Sequence, residues 1–351
     1  MKISCLITSV VNFLRLSKLN IPLILAGYFL LLTGCNSEEV IILRGQTMGT
    51  YWQVSVAEKM STTEITELDK KIQAELLAVN QQMSTFIADS EISRFNNSPD
   101  AAVEISSEMS KVVAAALQIS AESDGKYDIT VLPLVELWGF AAKKVEKKPT
   151  DEEIAAVLPL IGYQKLHLDG NILRKDNPAM RIDLSSIAKG YGVDKLAELL
   201  VKENRQNFLV DIGGEVRAVG NKFGKAWKIA VEVPENRGAN SIAEVLDLTD
   251  KSLATSGNYR NFIDYDGERA VHTIDPRTGR GAVSNLLSVT VAAENCMLAD
   301  GYATALMAIG GKDAEKFAEK QKLAVLFIFA DEQGGFSVRK NKHWQDIFIQ
   351  K

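Results

Sequence analysis

The amino-acid sequence predicts an α+β fold in which antiparallel or mixed sheets pack against helices. Segments with helical and strand periodicity follow one another without the regular strand–helix alternation of a parallel sheet. In addition, Asp169-Gly170 separates two short apolar segments, which is a strong hairpin signal. The chain has 351 residues, of which 46% are hydrophobic, so its length suits one large or two ordinary domains with a substantial core.

The first half of the mature chain is predicted to begin with a strand at Thr50–Val56 and to continue mainly as helix. Apolar residues at helical spacing predict an amphipathic helix: Ile65, Leu68, Ile72, Leu76, Val79 and Met83. A second helix, rich in Ala and Val, is expected from about Ser107 to Ser123. The capping box Thr150-Asp151-Glu152-Glu153 predicts the start of a short third helix.

The second half is predicted to consist mainly of strands. Their expected positions are Tyr163–Leu168, Asn171–Arg174, Phe208–Ile212, Glu215–Gly220, Trp227–Val233, Leu286–Ala293 and Leu323–Phe329. A helix is expected to begin near Ser185, and another to extend from about Cys296 to Ile309.

The overall composition excludes several classes of protein. A formal net charge of −5 argues against a nucleic-acid-binding protein, which would need a basic surface. Three cysteines are too few for a disulfide scaffold or a cysteine-rich zinc site. The charged content of 24% and the ordinary Gly and Pro counts exclude extensive disorder.

The N-terminal segment resembles a lipoprotein signal peptide. A basic region precedes the apolar segment Ile21–Leu32, which is shorter than the roughly 20 residues that a spanning helix needs. It ends in Leu32-Thr33-Gly34-Cys35, which looks like a lipobox whose cysteine is acylated. We therefore expect a signal peptide at residues 1–34, a polar tether at 35–45 and one domain at 46–351. An ordinary membrane anchor with an incidental cysteine is the alternative.

Five short segments are unusually rich in Gly, Asp, Ser and Thr beside apolar strands. They are Thr47–Thr50, Asp124–Thr130, Asp183–Tyr191, His272–Gly279 and Asp300–Thr304. Each one alone has a structural explanation: Asp-Pro-Arg-Thr-Gly is a good turn, and Asp183 could cap a helix. Their chemical meaning comes from their combination.

Taken together, these segments resemble the FAD:protein FMN transferases, the ApbE family of flavin-handling lipoproteins. The resemblance also includes Met83–Phe86, Ser93–Asn96, Leu137–Phe140 and Val210–Glu215, and it extends from Gln46 to about Gly310. It implies an ApbE-like fold, related to the T-fold, with FAD as substrate and Mg²⁺ as cofactor.

Asp300 and Thr304 are the candidate metal ligands. They are four residues apart on a predicted helix, so their oxygens lie on one face. A carboxylate and a hydroxyl are hard ligands of the kind that Mg²⁺ prefers. The family resemblance adds a backbone carbonyl, which corresponds to Ser186 here.

The resemblance also implies a set of flavin-nucleotide contacts: Met48, Phe86, Lys126, Tyr127, Asp128, Asp183, Lys189 and Ile274. Apolar and aromatic side chains can lie against a flavin or adenine ring, and Asp128 can accept a hydrogen bond from a ring or ribose donor. Lys189 can neutralise a phosphate, although it could equally be a solvated helix residue. His272 is placed beside the transferred phosphate, where its ordinary pKa near 6.5 suits a general base.

The implied reaction transfers the FMN half of FAD to a threonine hydroxyl of another protein and releases AMP. The expected acceptors are extracytoplasmic domains of membrane redox complexes of the quinone-reductase type. Two alternatives remain open: an FAD pyrophosphatase that uses the same metal site, and a flavin-binding lipoprotein without activity. The expected location is the periplasmic side of the inner membrane, with a lipid such as palmitate on Cys35.

Overall fold

The computed structural model describes residues 38–348, except 142–144, 146, 234–241, 259–261, 266–267, 283, 332 and 334. The predicted signal peptide, Cys35 and the first residues of the predicted tether lie outside this part. Within the part of the chain that is described, no helix is both long and apolar enough to span a bilayer.

The helices form the following elements along the chain: α1 (Thr62–Met83), α2 (Glu91–Asn97), α3 (Ser107–Glu122), α4 (Leu132–Leu137), α5 (Asp151–Val157), α6 (Ser185–Lys202), α7 (Cys296–Ile309), α8 (Gly311–Lys320) and α9 (Lys342–Phe348). Short 3-10 turns occupy Ile129–Val131, Leu158–Leu160 and Tyr163–Lys165.

The strands are β1 (Ile41–Thr47), β2 (Thr50–Val56), β3 (Ala102–Glu104), β4 (Leu166–Asp169), β5 (Ile172–Lys175), β6 (Phe208–Ile212), β7 (Glu215–Val219), β8 (Trp227–Glu232), β9 (Ile242–Leu248), β10 (Lys251–Gly257), β11 (Phe262–Tyr265), β12 (Glu268–Val271), β13 (Ile274–Asp275), β14 (Arg280–Gly281), β15 (Leu286–Ala293), β16 (Ala324–Ala330) and β17 (Phe336–Lys340).

An eight-stranded sheet in the order β1-β2-β6-β7-β10-β15-β16-β17 forms the centre of the fold, and every neighbouring pair in it is antiparallel. Smaller sheets surround it: β3-β5-β4, β8-β9, β11-β12 and β13-β14. The predicted α+β class is therefore confirmed, and the central sheet is antiparallel throughout.

Both faces of the central sheet are buried, as the alternation along β16 shows. Val325, Phe327 and Phe329 pack into the core that contains α3 and α7. Leu326 and Ile328 point the other way, into a core shared with the β8-β9 ribbon and α9. A strand that is buried on both faces has a continuous apolar sequence. This is the pattern that predicts a strand at Leu323–Phe329.

Several predicted elements are confirmed with their bounds unchanged. These are the strands Thr50–Val56, Phe208–Ile212 and Leu286–Ala293, and the helix Cys296–Ile309. The capping box at Thr150 is formed, with its side chain accepting from Glu153 N and the Glu153 side chain returning to Thr150 N. The Asp169-Gly170 hairpin also forms, and Gly170 has a φ of +56°.

Two predicted boundaries differ from the structure by more than one residue. β1 begins at Ile41, so residues 41–45, which we expected in the tether, are part of the sheet and pair with β2. Residues Tyr163–Lys165 form a 3-10 turn, and the strand predicted there starts only at Leu166. In β1 alternate positions are only partly buried, which weakens the apolar signal at the edge of the sheet.

The site depends on a close contact between α6 and α7. Gly190 of α6 lies so near α7 that a Cβ atom there would be 2.3 Å from the Cys296 carbonyl oxygen and 2.8 Å from Asp300 Cβ. Four residues further along α6, Asp194 accepts hydrogen bonds from the first two backbone N–H groups of α7, those of Cys296 at 3.0 Å and Met297 at 2.9 Å. These contacts fix the register of the two helices.

We predict that Gly190→Ala destabilises the protein, because the new methyl group meets backbone rather than a movable side chain. The free energy of unfolding should fall by about 1–3 kcal/mol or more, the range for overpacked cores. Gly192→Ala in the same helix is the matched control. Its Cβ would meet the ends of two side chains, Met48 Cε at 2.9 Å and Ile212 Cδ1 at 3.3 Å, and no backbone atom within 4 Å among its three nearest neighbours. Urea unfolding followed by tryptophan fluorescence measures both, and equal stability of the two variants would contradict the account.

Candidate active site

A cavity of about 820 Å³ lies beside the N-terminal half of α6. It brings together most of the residues predicted from sequence: Lys126, Tyr127, Asp128, Asp183, Ser186, Lys189, His272, Ile274, Asp300 and Thr304. Its volume falls within the range of about 300–1,000 Å³ that is usual for cofactor and small-molecule sites.

The predicted metal ligands meet where α6 and α7 touch. The backbone N–H of Gly190 donates to Asp300 Oδ2 at 2.9 Å. In a regular helix that N–H would donate to the Ser186 carbonyl four residues earlier, so the bond brings the carboxylate to the first turn of α6. From α7, the Thr304 hydroxyl donates to the same Ser186 carbonyl at 3.4 Å. The three groups predicted as metal ligands, Asp300, Thr304 and the Ser186 carbonyl, therefore lie at the same place in the fold.

This set of donors suits Mg²⁺. It consists of a carboxylate, a hydroxyl and a carbonyl, all hard oxygen ligands. The Thr304 and Ser186 oxygens are 3.4 Å apart, close to the spacing of about 3 Å between neighbouring ligands in an octahedral site with bonds near 2.1 Å. Among the described residues, no cluster of three or more His, Cys, Asp or Glu side chains suits a metal, so one carboxylate would have to share the ion with neutral donors and phosphate.

Negative charge is concentrated in the cavity wall. Glu215, at the start of β7, is 2% exposed and lies 2.6 Å from Lys189 Nζ. Burial raises the pKa of Glu215, although the Lys189 ammonium opposes this rise. Burial likewise raises the pKa of Asp300 and of Asp211. Two buried carboxylates and the partly buried Asp211 thus face one lysine, an arrangement that an added cation would relieve.

Lys189 lies in the cavity wall, which contradicts the alternative that it is an ordinary solvated helix residue. Burial lowers its pKa, but the carboxylates of Asp300 and Glu215 outweigh that effect and hold the pKa above its usual value. The ammonium therefore remains charged at neutral pH. Its pairing with Glu215 fixes it at one side of the cavity.

Asp183 and Tyr127 shape the beginning of α6. Asp183 accepts hydrogen bonds from the Ser185 backbone N–H at 2.8 Å and from its hydroxyl at 2.9 Å. It thus supports the first residue of α6, whereas the N-cap residue is Leu184, whose side chain makes no capping bond. The buried Tyr127 hydroxyl lies 2.9 Å from the Ser186 hydroxyl. Asp183 thereby engages a helix N-terminal donor that a phosphate would otherwise use.

Asp128 makes only structural bonds in this structure. Its Oδ1 accepts from the Thr130 N–H at 2.8 Å and the Thr130 hydroxyl at 2.7 Å, while Oδ2 accepts from the Tyr163 N–H at 2.7 Å. The carboxylate thus holds the turn that forms this side of the cavity. A bond to a flavin or ribose donor would use lone pairs that remain on the same oxygens.

The segment from His272 to Gly279 is held from two sides. Lys126 Nζ contacts Asp275 Oδ2 at 2.9 Å, and Arg277 donates to the same carboxylate. Trp138 Nε1 donates to the Gly279 carbonyl at 2.7 Å, so the Leu137–Phe140 motif supports this turn. The Phe140 and His272 rings approach edge to face, with their centroids 6.4 Å apart.

Two predicted flavin contacts are not among the residues that line the cavity. The Met48 side chain packs into the core, where its Cε would lie 2.9 Å from a Cβ at Gly192. The Phe86 side chain is 66% exposed in the connection after α1. An apolar or aromatic residue in a short motif does not reveal which way its side chain points, so sequence could not separate Met48 and Phe86 from Tyr127.

The sequence of the Val210–Glu215 motif indicated no role for its acidic residues. Gly213 and Gly214 adopt φ values of +63° and +102°, which forms the tight turn between β6 and β7. Asp211 accepts from the Gly214 N–H at 2.9 Å, and Glu215 then enters the cavity wall. The Gly-Gly pair between two apolar strands was the available signal for this turn.

Comparisons with known proteins agree with this geometry. The model of the ApbE family matches residues 48–327. This chain belongs to the ApbE family. A curated relative from Haemophilus influenzae, an FAD:protein FMN transferase, is 41% identical over 329 residues and is aligned over 91% of this chain and 95% of its own length. A second, from Vibrio cholerae, bears the same description and is 40% identical over 316 residues, covering 89% of this chain and 94% of its own length.

Solved ApbE structures have the same fold. The flavin transferase ApbE from Vibrio cholerae superposes with a TM-score of 0.80 at 37% identity, over 88% of this chain and 99% of that one. The flavinyl transferase ApbE from Pseudomonas stutzeri, in its apo form, also gives a TM-score of 0.80, at 35% identity over 89% of this chain and 98% of the other. The family suggested by the sequence motifs is thus confirmed.

Proposed function

We propose that this protein transfers the FMN half of FAD to a threonine hydroxyl of an acceptor protein in a Mg²⁺-dependent reaction. The transferase class follows from identities of 41% and 40% to two curated FAD:protein FMN transferases, over about nine tenths of this chain. The observation that supports the metal dependence is the meeting of Asp300, Thr304 and the Ser186 carbonyl at one wall of the cavity. Hard oxygen donors at that wall suit a cation that offsets the charge of a pyrophosphate.

In this reaction, the acceptor oxygen bonds to the phosphorus of the FMN phosphate while the pyrophosphate bond breaks. AMP leaves with the bonding electron pair, and the hydroxyl proton passes to a base. When bound, Mg²⁺ supplies positive charge that stabilises the phosphate oxygens. Positioning and neutralisation of charge account for most of the catalysis of phosphoryl transfer.

Lys189 supplies a fixed positive charge to the cavity. Its ion pair with Glu215 holds the ammonium in place before the substrate arrives, so little reorganisation is needed. The Lys126–Asp275 pair holds the His272–Gly279 turn at the cavity. These two ion pairs give the cavity its rigid charge pattern.

His272 is the proposed base that takes the acceptor proton. It lines the cavity, and the turn that begins beside it is anchored by Asp275 and by the bond from Trp138 to Gly279. Histidine is the side chain that most often serves as a general base in enzymes. A hydrolase would use the same residues with water as acceptor, so FAD pyrophosphatase activity is the second candidate.

The proposed acceptors are extracytoplasmic domains of membrane redox complexes of the quinone-reductase type. The proposed location is the periplasmic face of the inner membrane, through acylation of Cys35. These two proposals rest on the family resemblance and on the lipobox in the sequence.

The direct test incubates the protein with FAD, Mg²⁺ and such an acceptor domain. Mass spectrometry should find the acceptor heavier by one phosphoester-linked FMN, on a threonine. Free FMN and AMP in equal amounts, with unmodified acceptor, would establish the pyrophosphatase instead. Binding of FAD without any AMP release at saturating Mg²⁺ would establish a flavin-binding protein without activity.

Asp300→Ala is expected to abolish the Mg²⁺ response, because the remaining ligands are a hydroxyl and a carbonyl, both neutral. Thr304→Val should have a smaller effect that high Mg²⁺ partly reverses, and Thr304→Ser should resemble the wild type because it keeps the hydroxyl. The measurement is AMP release from FAD over a Mg²⁺ titration, with a chelator as blank. Activity of the wild type in the chelator, or a wild-type Mg²⁺ response of Asp300→Ala, would show that the site is elsewhere.

His272→Ala is expected to slow FMN transfer by about 10²–10⁴-fold, the usual contribution of a general base. FAD affinity should change little, because the base acts on the acceptor proton. His167→Ala is the matched control, since His167 pairs with Asp176 at 2.9 Å and does not line the cavity. An unchanged transfer rate in His272→Ala would remove this residue from the mechanism.

Cys35→Ser is expected to prevent lipid attachment, because no thiol remains to accept the acyl chain. The variant should accumulate as an unprocessed or soluble form. Membrane fractionation and intact-mass measurement of the expressed protein distinguish these forms from the acylated one. Processing and membrane association like those of the wild type would contradict the lipobox interpretation.

A further inference from the structure

The β8-β9 ribbon presents the edge of one strand to the active-site cavity. Five consecutive residues of β8, Lys228 to Glu232, line the cavity, whereas no residue of β9 does. Side chains of a strand alternate between two faces, so a cavity beside one face would touch only every second residue. Contact with consecutive residues indicates that the strand's edge borders the cavity.

The burial pattern of β8 agrees with this geometry. Trp227 and Val231 are buried in the core beneath the ribbon, and Ile229 packs against that core. Lys228 and Ala230, on the opposite face, are exposed. One face of β8 therefore packs on the core and the other is exposed, and the cavity lies along the edge of the strand.

That side of β8 has no strand beside it among the described residues. β9 pairs with the other side, with Ala230 opposite Val245, and the ribbon contains only these two strands. Between Lys228 and Val231 this edge, which has no described strand beside it, offers backbone N–H and C=O groups at alternate residues and is a template for another extended chain. Natural proteins usually protect such an edge, and here it lies at the cavity.

We propose that the edge of β8 binds the acceptor protein by strand addition, so that an extended segment carrying the target threonine lies alongside β8 and inside the cavity. This inference rests on the proposed function, because that reaction requires a segment of another protein to reach the same space as His272 and Asp300. Backbone pairing explains how such a segment is held in a fixed register. FAD offers no regular backbone to pair with a strand edge, and so it is the less suitable occupant.

If the acceptor adds a strand to β8, every second backbone N–H group of the acceptor segment should matter for binding. Only alternate residues of the acceptor segment direct their N–H groups toward β8. The probe is a synthetic peptide of about ten residues, centred on the threonine that becomes flavinylated in the acceptor domain, a length that covers one ordinary strand on each side. Two further peptides carry backbone N-methyl groups at every second residue. One is methylated at the odd positions and the other at the even positions, and the threonine is left unmethylated in both.

One methylated phase should raise the KM for the peptide by about tenfold or more, because it removes several backbone hydrogen bonds at once. The other phase should behave like the unmodified peptide, and the KM for FAD should be the same with all three. If both phases match the unmodified peptide, or both weaken it equally, strand addition is excluded. If neither the intact domain nor the peptide is flavinylated, the proposed function itself fails.

Two proline variants test the same edge from the protein's side. Ala230 and Val245 face each other across the ribbon, so their N–H groups point either both inward or both outward. Ala230→Pro and Val245→Pro should therefore disturb the ribbon equally, but only the first changes the strand that borders the cavity. With the intact domain as acceptor, Ala230→Pro should raise the acceptor KM several-fold more than Val245→Pro.

The result that would overturn the proposal is a rise in the KM for FAD, and not for the acceptor, in Ala230→Pro. Equal effects of the two variants on the acceptor KM, in proteins that retain the same melting temperature, would also overturn it. Where both variants unfold the ribbon, the methylated peptides decide the question, because they leave the protein unchanged.

Discussion

The active-site arrangement depends on how closely α6 and α7 approach at Gly190. Only a residue without Cβ allows the Cys296 carbonyl and Asp300 to lie against α6 at this point. The same residue uses its N–H to hold the Asp300 carboxylate at 2.9 Å. One small residue therefore sets both the distance between the helices and the position of the candidate metal ligand, and Asp194 secures the beginning of α7.

The charged side chains beside this contact determine what the site can bind. Asp300 and Glu215 are almost fully buried, and burial raises the pKa of each. Lys189 offsets part of their charge and is itself held in the ionised form by them. A site with this surplus of carboxylates favours a divalent cation, and a cation together with a lysine suits a substrate that carries a pyrophosphate. The fold thus prepares the charge pattern before any ligand binds.

Much of this arrangement could be predicted from sequence, because local patterns determined it. The spacing of Asp300 and Thr304 and the apolar strand Leu286–Ala293 depend on neighbours in the chain. The inward packing of Met48 and the exposure of Phe86 depend on distant elements, which no local pattern encodes. The role of Glu215 was also missed, since a glutamate after a Gly-Gly turn becomes distinctive only when the fold buries it beside Lys189.

The most direct test of the central claim is the position of the metal. Crystals grown with FAD and Mn²⁺, which replaces Mg²⁺ and scatters X-rays anomalously, would locate the ion without reference to activity. The account predicts an anomalous peak within bonding distance of the Asp300 carboxylate, the Thr304 hydroxyl and the Ser186 carbonyl, and its loss in Asp300→Ala crystals. A peak at other residues, or an ion held by FAD alone and unchanged in Asp300→Ala, would contradict it.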